Sequence, residues 1–218
     1  MSEHFLQHRT AFVTGGTSGI GLAIAKALGA AGARVAINGL GAPEQIASAL
    51  SAIEKAGAGE AKYFDADLRD AYAIETMLKQ VQLWSPIDVL VNCAGVQHTA
   101  PIGDMPAERW DTLIAINLSA AFHTLRLTLP GMAERGFGRV INIASVHGLV
   151  ASVNKSPYVA SKFGLIGLSK VAALEYASAG SRASGGVTIN CLCPGWVETP
   201  LIEPQISARA SEFSADRD

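Results

Sequence analysis

The stretch Ala11-Phe12-Val13-Thr14-Gly15-Gly16-Thr17-Ser18-Gly19-Ile20-Gly21 decides the fold, because it passes from an apolar strand through a tight turn into a helix. Gly15 permits the turn, and Gly19 and Gly21 let the backbone approach a ligand while the helix packs on the sheet. The free N–H groups at the start of such a helix attract phosphate. The strand–turn–helix context therefore favours a dinucleotide pyrophosphate over the alternative, a purely structural turn.

The rest of the chain alternates short apolar strands with helical patterns. We predict strands at 11–14, 34–38, 61–65, 87–92, 139–144 and 187–192, and helices at 22–28, 43–55, 71–83, 106–134 and 157–176. Continuous apolar strands between helices are typical of a parallel sheet covered on both faces. The expected fold is an α/β, three-layer, doubly wound parallel sheet of the Rossmann type. Residues 1–218 are expected to form a single domain, with its ligand site at the carboxyl ends of the strands.

The composition argues against several other kinds of protein. The chain is 49% hydrophobic and 17% charged, with a net charge of −2 and no basic block, so we expect no nucleic-acid partner. Segment 1–10 lacks the apolar core of a secretory signal, and no uninterrupted apolar run approaches a membrane span. An odd set of cysteines (Cys93, Cys191 and Cys193) fits a reducing cytoplasm. Buried strand thiols are a simpler interpretation of the last two than a metal site, so no metal is expected.

The position that commonly selects the nucleotide is unusual in this sequence. An acidic residue is expected about 20 residues after the glycine-rich turn, at the end of the second strand. Asn38-Gly39-Leu40-Gly41 stands there instead, so amide or backbone groups must hold the ribose 2′-hydroxyl. Because no arginine or lysine stands there to bind a 2′-phosphate, we predict NAD rather than NADP.

Two further strand ends carry candidate cofactor contacts. Asp67, followed by Leu68, comes after the third strand and is placed to accept a hydrogen bond from the adenine amino group. The alternative is that Asp67 caps the next helix. Asn92-Cys93-Ala94-Gly95 ends the fourth strand, where small residues would leave room for the middle of the cofactor.

The chemistry is expected at Tyr158, with Lys162 four residues later and Ser145 thirteen residues before. Positions i and i+4 of a helix share a face, so the ammonium can lie beside the phenol. A free tyrosine, with a pKa of about 10, is a poor acid or base at neutral pH, and a nearby cation favours its phenolate. Ser156-Pro157 predicts the start of this helix, with Ser156 as the N-cap. Together with the nucleotide turn, these residues indicate hydride transfer; the alternative is a pair on an amphipathic helix surface.

These residues together resemble the classical short-chain dehydrogenases/reductases. The resemblance rests on Thr14-Gly15-xxx-Gly19-x-Gly21, Asn92-Cys93-Ala94-Gly95, Asn117, Ser145, Tyr158-xxx-Lys162 and Pro194-Gly195. It implies that Tyr158 transfers the proton, Ser145 holds the substrate oxygen, Lys162 also binds the nicotinamide ribose, and Asn117 holds a water between that lysine and solvent. The implied cofactor contacts are Gly15, Thr17, Ser18, Gly19, Ile20, Gly21, Leu40, Asp67, Leu68, Asn92, Ala94, Gly95, Tyr158, Lys162, Pro194, Gly195, Val197 and Thr199.

Within that family the chain resembles the bacterial D-3-hydroxybutyrate dehydrogenases more closely. The similarity lies in segments 95–98, 115–124, 145–156 and 193–197. It implies a tetrameric NAD enzyme that interconverts (R)-3-hydroxybutyrate and acetoacetate. Besides Ser145 and Tyr158, the implied substrate contacts are the carboxylate donors Gln97, His147, Lys155 and Gln205, with Trp196 as a wall for the methyl end. Each of these five has an ordinary alternative as a loop, solvated or packing residue.

The end of the chain leaves other hypotheses open. Members of the family usually continue and add a last strand, whereas this chain stops at Asp218, so we expect the sheet to lack that strand. Segment 196–212 is expected to form a lid that delivers Gln205 to the substrate. The competing hypotheses are a related reductase for another hydroxy acid, a sugar, a steroid or a 3-oxoacyl substrate, and an inactive nucleotide-binding relative with a shortened C-terminus.

Overall fold

Strands and helices alternate along the chain, as predicted. The computed structural model describes residues 4–199, 203 and 206. The strands are β1 (Thr10–Thr14), β2 (Arg34–Ile37), β3 (Ala61–Tyr63), β4 (Val89–Asn92), β5 (Phe137–Ile143) and β6 (Gly186–Leu192). The helices are α1 (Gly19–Ala30), α2 (Pro43–Lys55), α3 (Ala71–Trp84), α4 (Ala107–Ile114), α5 (Ala120–Glu134) and α6 (Ser156–Glu175). Short 3₁₀ turns lie at Ile102–Asp104 and Val146–Gly148.

The strands form one parallel sheet in the order β3-β2-β1-β4-β5-β6. Thr14 at the end of β1 lies opposite Asn92 at the end of β4, so the two central strands end level. The strand order reverses between them, and the loops that leave these two ends diverge. In open α/β sheets this divergence creates the crevice where ligands bind. The predicted doubly wound parallel sheet is therefore confirmed.

Apolar side chains pack on both faces of the sheet. Phe12 and Leu90 join residues of α3, α5 and α6 in one cluster, whereas Val13 and Val91 join residues of α1 and α2 in another. Successive strand residues point to opposite faces, and all four of these side chains are fully buried. This double burial explains why the strands appear in the sequence as continuous apolar runs.

Two helix starts bear on the site. Asp70 caps α3 by accepting a hydrogen bond from the backbone N–H of Tyr72 at 2.8 Å. Helix α6 begins at Ser156 with Lys155 as its N-cap, so the predicted cap at Ser156 is wrong by one residue. Tyr158 nevertheless falls in the first turn and Lys162 one turn later, as the spacing predicts.

The helix predicted at 106–134 forms with one irregularity. Helices α4 and α5 are joined by a π-helical turn at Ala115–Ser119, so the helix runs unbroken over Ala107–Glu134. With 28 residues it is long and apolar enough to cross a membrane by those two measures alone, a test that core helices also pass. Its buried side belongs to the core: Leu125, Leu129 and Met132 pack into the cluster with Phe12.

Buried polar side chains join the central strands to these helices. Asn92 donates to Oδ1 of Asn142 at 2.8 Å, and Asn142 donates to Oγ of Ser169 at 2.7 Å. Thr124 of α5 donates to Oδ1 of Asn92 at 2.7 Å. Because Asn142 is fully buried, these side chains satisfy one another without water.

Removing the middle member of this network should destabilise the fold. Asn142→Ala leaves Asn92 and Ser169 without these partners and opens a small cavity. We therefore expect the free energy of unfolding to fall by roughly 2–4 kcal/mol, measured by urea unfolding. Thr188→Ala, on the exposed side of β6, is the control and should cost less than about 0.5 kcal/mol. Equal losses in the two variants would contradict this account.

Candidate active site

A cleft of about 710 Å³ lies at the carboxyl ends of the strands. This volume is typical of sites for cofactors and other small molecules. Nearly all predicted cofactor contacts line it: Gly15, Thr17, Ser18, Gly19, Ile20, Gly21, Leu40, Asp67, Leu68, Ala94, Gly95, Tyr158, Lys162, Pro194, Gly195, Val197 and Thr199. The fold thus brings residues from distant parts of the sequence to one cavity.

The glycine-rich turn leaves no room for side chains. Gly15 has a φ of +67°, and a Cβ there would lie 2.9 Å from the Cα of Ala94. A Cβ on Gly21 would lie only 2.1 Å from the carbonyl oxygen of Gly15. The start of α1 therefore packs directly on the loop after β1, beside the loop after β4. The N–H groups of its first turn have no partner within the helix, which fits a pyrophosphate in this cleft.

The end of β2 offers fewer groups for a ribose than the sequence suggested. Asn38 is buried, and its side-chain amide donates to the carbonyl oxygens of Phe64 at 3.0 Å and Ala66 at 3.2 Å. Those bonds use the amide to join the loops after β2 and β3. The sequence predicts that amide or backbone groups bind the ribose 2′-hydroxyl. Because the Asn38 amino group is bonded elsewhere, the backbone of Gly39 and Leu40 remains for this role.

Asp67 lies on the cleft in a tight pair with Arg69. Its carboxylate accepts from the backbone N–H of Arg69 at 2.9 Å and from Nη2 at 2.6 Å, and this pairing holds the pKa of Asp67 below its usual value. The alternative that Asp67 caps α3 is wrong, because Asp70 does so. Asp65 and Arg69 also line the cleft, and the sequence analysis missed both. Their position just after the strand that neighbours β2 was the available indication.

Among the predicted cofactor contacts, all of which the structure describes, Asn92 does not line the cleft. Its side chain is buried in the polar network below the sheet, because successive strand residues alternate in direction. Cys93, the next residue, lines the cleft instead. Burial raises the pKa of the Cys93 thiol to about 11, so the thiol stays protonated at neutral pH.

The three cysteines are free thiols. Cys191 and Cys193 pack against a small apolar cluster that includes Ala144 and Leu165. Across the part of the chain that the structure describes, no three His, Cys, Asp or Glu side chains gather in a way that suits a metal ion.

Tyr158 and Ser145 meet at the β5 end of the cleft. Ser145 closely follows β5, and Tyr158 reaches it from the first turn of α6. Burial raises the pKa of Tyr158, and a hydrogen bond with Ser145 partly opposes that rise. Oγ of Ser145 also accepts from the backbone N–H of His147 at 3.1 Å, which orients the hydroxyl. The two hydroxyls are thus paired in a way that suits binding of a single substrate oxygen.

Lys162 is buried beside Tyr158. Its Nζ lies 5.6 Å from the centre of the Tyr158 ring and donates to the carbonyl oxygen of Ile143 at 2.8 Å. Burial lowers the pKa of Lys162 from its ordinary 10.5 to about 8. The predicted acidification of Tyr158 by this ammonium does not appear: the pKa of the phenol is raised, because burial disfavours the phenolate more than the hydrogen bond with Ser145 favours it.

Asn117 lies in the π-helical turn, and its side chain bonds the loop after β4 and Oγ of Ser161 in α6. Its Nδ2 donates to the carbonyl oxygen of Val96 at 2.9 Å, and its Oδ1 accepts from the N–H of Val96 at 2.9 Å. A Cβ on Gly95 would lie 3.5 Å from that Oδ1 and 3.8 Å from Nζ of Lys162. Asn117 therefore holds the loop after β4 at Val96, next to Gly95 and Lys162.

Of the predicted substrate contacts that the structure describes, Ser145 and Tyr158 line the cleft, whereas Gln97, His147, Lys155 and Trp196 are not among its lining residues. The His147 ring packs edge-on against Tyr158 at a centroid distance of 6.0 Å, and Nζ of Lys155 lies 5.3 Å from the centre of the Trp196 ring. Burial and the charge of Lys155 lower the pKa of His147, so the imidazole is neutral at pH 7. Gln97 follows the loop that Asn117 holds. Gln205, with most of segment 196–212, lies outside the described residues.

Comparison with known proteins agrees with this geometry. The family model of the short chain dehydrogenases matches residues 9–210. The chain belongs to the short-chain dehydrogenase family. It is 52% identical over 209 residues to a D-beta-hydroxybutyrate dehydrogenase of Cupriavidus necator, covering 95% of this chain and 78% of that protein. It is 48% identical over 203 residues to the Rhizobium meliloti protein of that name, covering 93% and 76%.

Solved structures have the same fold as this short-chain dehydrogenase. A putative NAD(P) dependent gluconate 5-dehydrogenase from Beutenbergia cavernae, with bound NADP, has a TM-score of 0.87 at 33% identity and covers 98% of this chain and 83% of its own. An actinorhodin polyketide ketoreductase with NADPH has a TM-score of 0.85 at 36% identity, covering 95% and 78%. The predicted family is confirmed, and the protein is an oxidoreductase of a family that binds nicotinamide cofactors.

The contact between Gly21 and Gly15 should be essential for cofactor binding. Gly21→Ala places a methyl group against the Gly15 carbonyl, so the start of α1 must move. We expect NADH affinity to fall by at least tenfold, measured by NADH fluorescence. The control is Gly131→Ala, where the nearest atom is the mobile end of Arg135 at 3.2 Å. Comparable loss in both variants would count against the contact.

The buried lysine should make stability depend on pH. In the unfolded chain Lys162 is protonated below its ordinary pKa of 10.5, but in the folded protein it is protonated only below a pKa of about 8. Between these values the unfolded state holds more protons, so the folded state loses stability as the pH falls. Relative to Lys162→Met, the free energy of unfolding of the protein should fall by about 1.4 kcal/mol for each pH unit by which the pH is lowered within this interval.

Urea unfolding of both proteins without added cofactor, at several values from pH 7 to pH 10, measures this difference. Replacement of an exposed lysine, Lys26→Met, is the control and should show no such dependence. A stability difference between the protein and Lys162→Met that stays constant over this range would refute the account.

Proposed function

We propose that this short-chain dehydrogenase interconverts (R)-3-hydroxybutyrate and acetoacetate with NAD. The observation that carries the proposal is that His147 packs edge-on against Tyr158, with Lys155 near enough for its charge to lower the pKa of His147. These nitrogen donors suit a short substrate whose carboxylate lies close to the reacting carbon. The names of the two relatives at 52% and 48% identity support the same substrate.

In the proposed reaction, Ser145 and Tyr158 hold the oxygen on C3 of the substrate. Tyr158 gives its proton to this oxygen in reduction and accepts it in oxidation, while Ser145 keeps the oxygen in place. The raised pKa of Tyr158 keeps the phenol protonated at neutral pH before ligands bind, which suits the reduction of acetoacetate. When bound, the nicotinamide supplies or accepts the hydride. Lys162 would bind the nicotinamide ribose, and Asn117 positions the adjoining loop.

The carboxylate is assigned to Gln97, His147, Lys155 and Gln205, with Trp196 at the methyl end. A desolvated carboxylate needs hydrogen-bond donors, and Lys155 adds charge to its bond. His147 is held beside Tyr158 by ring packing. Segment 196–212 is proposed as the lid that brings Gln205 to the substrate, within residues 1–218 as one domain.

NAD is favoured over NADP because no basic residue stands in segment 38–41, at the end of β2. The backbone of Gly39 and Leu40 is left for the ribose. The remaining cofactor contacts are proposed as predicted, except that the side chain of Asn92 is withdrawn because it is committed to the network below the sheet.

A homo-oligomer, a tetramer by family resemblance, is part of the proposal. Exposed apolar side chains on the neighbouring helices α5 and α6, namely Phe122, Phe163, Val171 and Leu174, support burial against another copy. The free thiols fit a reducing cytoplasm. The net charge of −2 gives no reason to expect nucleic acid, and no membrane partner is proposed.

NADH absorbance with (R)- and (S)-3-hydroxybutyrate, each with NAD and NADP, tests the proposal. We expect turnover of the (R) substrate with NAD. Lys155→Ala and His147→Ala should each lower kcat/KM by roughly tenfold to a hundredfold, because each removes a donor to a buried carboxylate. Lys26→Ala, an exposed lysine on α1, is the matched control.

An acetoacetyl thioester tests the competing assignment. Relatives at 36–40% identity include a putative ketoacyl reductase of Streptomyces coelicolor and an acetoacetyl-CoA reductase of Rhizobium meliloti. Faster turnover of the thioester than of acetoacetate, with Lys155→Ala unaffected, would replace the proposed substrate. Binding of NADH without any turnover would point to the inactive nucleotide-binding relative.

A further inference from the structure

The loops after β2 and β3 meet at one hydroxyl group. The Tyr63 hydroxyl lies 2.9 Å from the carbonyl oxygen of Gly39 and 3.0 Å from Oδ1 of Asp65. Gly39 and Asp65 both line the cleft. A carboxylate from the loop after β3 therefore reaches the region where the sequence lacks an acidic residue at the end of β2.

The donor side chains considered at this end of the cleft, Tyr63, Thr17 and Asn38, are already engaged. The Tyr63 hydroxyl has one hydrogen and satisfies one of its two acceptors at a time. The Thr17 hydroxyl donates to the carbonyl oxygen of Leu40 at 2.7 Å, and the amide of Asn38 is already committed to the loop after β3. A ribose hydroxyl can donate to the remaining acceptor, whereas a phosphate ester brings only more acceptors.

The charges favour the same ligand. Arg69 lines this end of the cleft, but its charge is already paired. Its Nη2 donates to Oδ2 of Asp67 at 2.6 Å. Within the described residues, no basic nitrogen lies in ion-pair distance of the Asp65 carboxylate. Asp65 therefore leaves a net negative charge where a 2′-phosphate, itself carrying about −1.5 to −2, would have to bind.

We propose that Asp65 selects NAD against NADP: its carboxylate accepts from the ribose 2′-hydroxyl and repels a 2′-phosphate. Tyr63 is a positioning residue whose hydroxyl lies between Asp65 and the carbonyl of Gly39 and donates to one of them. In this arrangement an acidic residue in the loop after β3 takes the place of one at the end of β2. This inference requires one part of the proposed function, namely that a nicotinamide dinucleotide binds in this cleft.

Equilibrium binding of NADH and NADPH, followed by nucleotide fluorescence, tests the proposal without any turnover. The unmodified protein should bind NADH at least tenfold more tightly than NADPH. Asp65→Asn removes the charge at constant size, so NADPH should bind roughly tenfold more tightly than to the parent while NADH affinity changes little. Tyr63→Phe should shift the ratio of the two Kd values in the same direction by a smaller factor.

Glu175→Gln is the matched control, because it removes the same charge from an exposed residue at the far end of α6. It should leave the ratio of the two Kd values unchanged. The proposal is overturned if Asp65→Asn leaves that ratio unchanged, if the control shifts it equally, or if the parent prefers NADPH. A protein that shows the expected ratios but fails to oxidise (R)-3-hydroxybutyrate would refute the proposed substrate alone.

Discussion

The site depends on how closely three backbone segments approach one another at Gly15. The first turn of α1 lies against the carbonyl of Gly15, and the loop after β4 lies against its Cα, at distances that admit no Cβ. This contact sets the position of the helix start relative to the two central strands. Because ligands of open α/β sheets bind where these strands diverge, the same contact shapes the floor of the cleft.

The other end of the cleft is organised by burial of polar groups. Lys162 is enclosed at the cost of a lowered pKa and is held by the carbonyl of Ile143. Asn117 holds the loop above it, while Asn92 and Asn142 tie the strands to the helices below. Each amide is satisfied, so the region is stiff, and Tyr158 and Ser145 are held in position before a substrate arrives.

Sequence periodicity was enough to predict the parallel sheet and the cleft at its edge. The sequence was a poorer guide where a side chain has two plausible partners. Of the two roles open to Asp67, the helix cap is wrong because Asp70 caps α3, and the adenine contact stays a prediction for a carboxylate that Arg69 also binds. Asn92 was assigned to the cofactor, but its direction depends on strand alternation and on Thr124 in a distant helix. The pKa of Tyr158 depends on burial, which the four-residue spacing to Lys162 does not reveal.

By itself, the sequence determined the order of strands and helices, the glycine-rich turn and the presence of the Ser145, Tyr158 and Lys162 set. These depend on local preferences and on spacing along one element. Only the tertiary structure decided that Asp65 approaches the end of β2 beside Tyr63, and that the amino group of Asn38 is bonded to the loop after β3. The bonds from Tyr63 to Gly39 and from Asn38 to Phe64 join residues more than twenty positions apart at the ends of neighbouring strands, so they exist only once the sheet has formed.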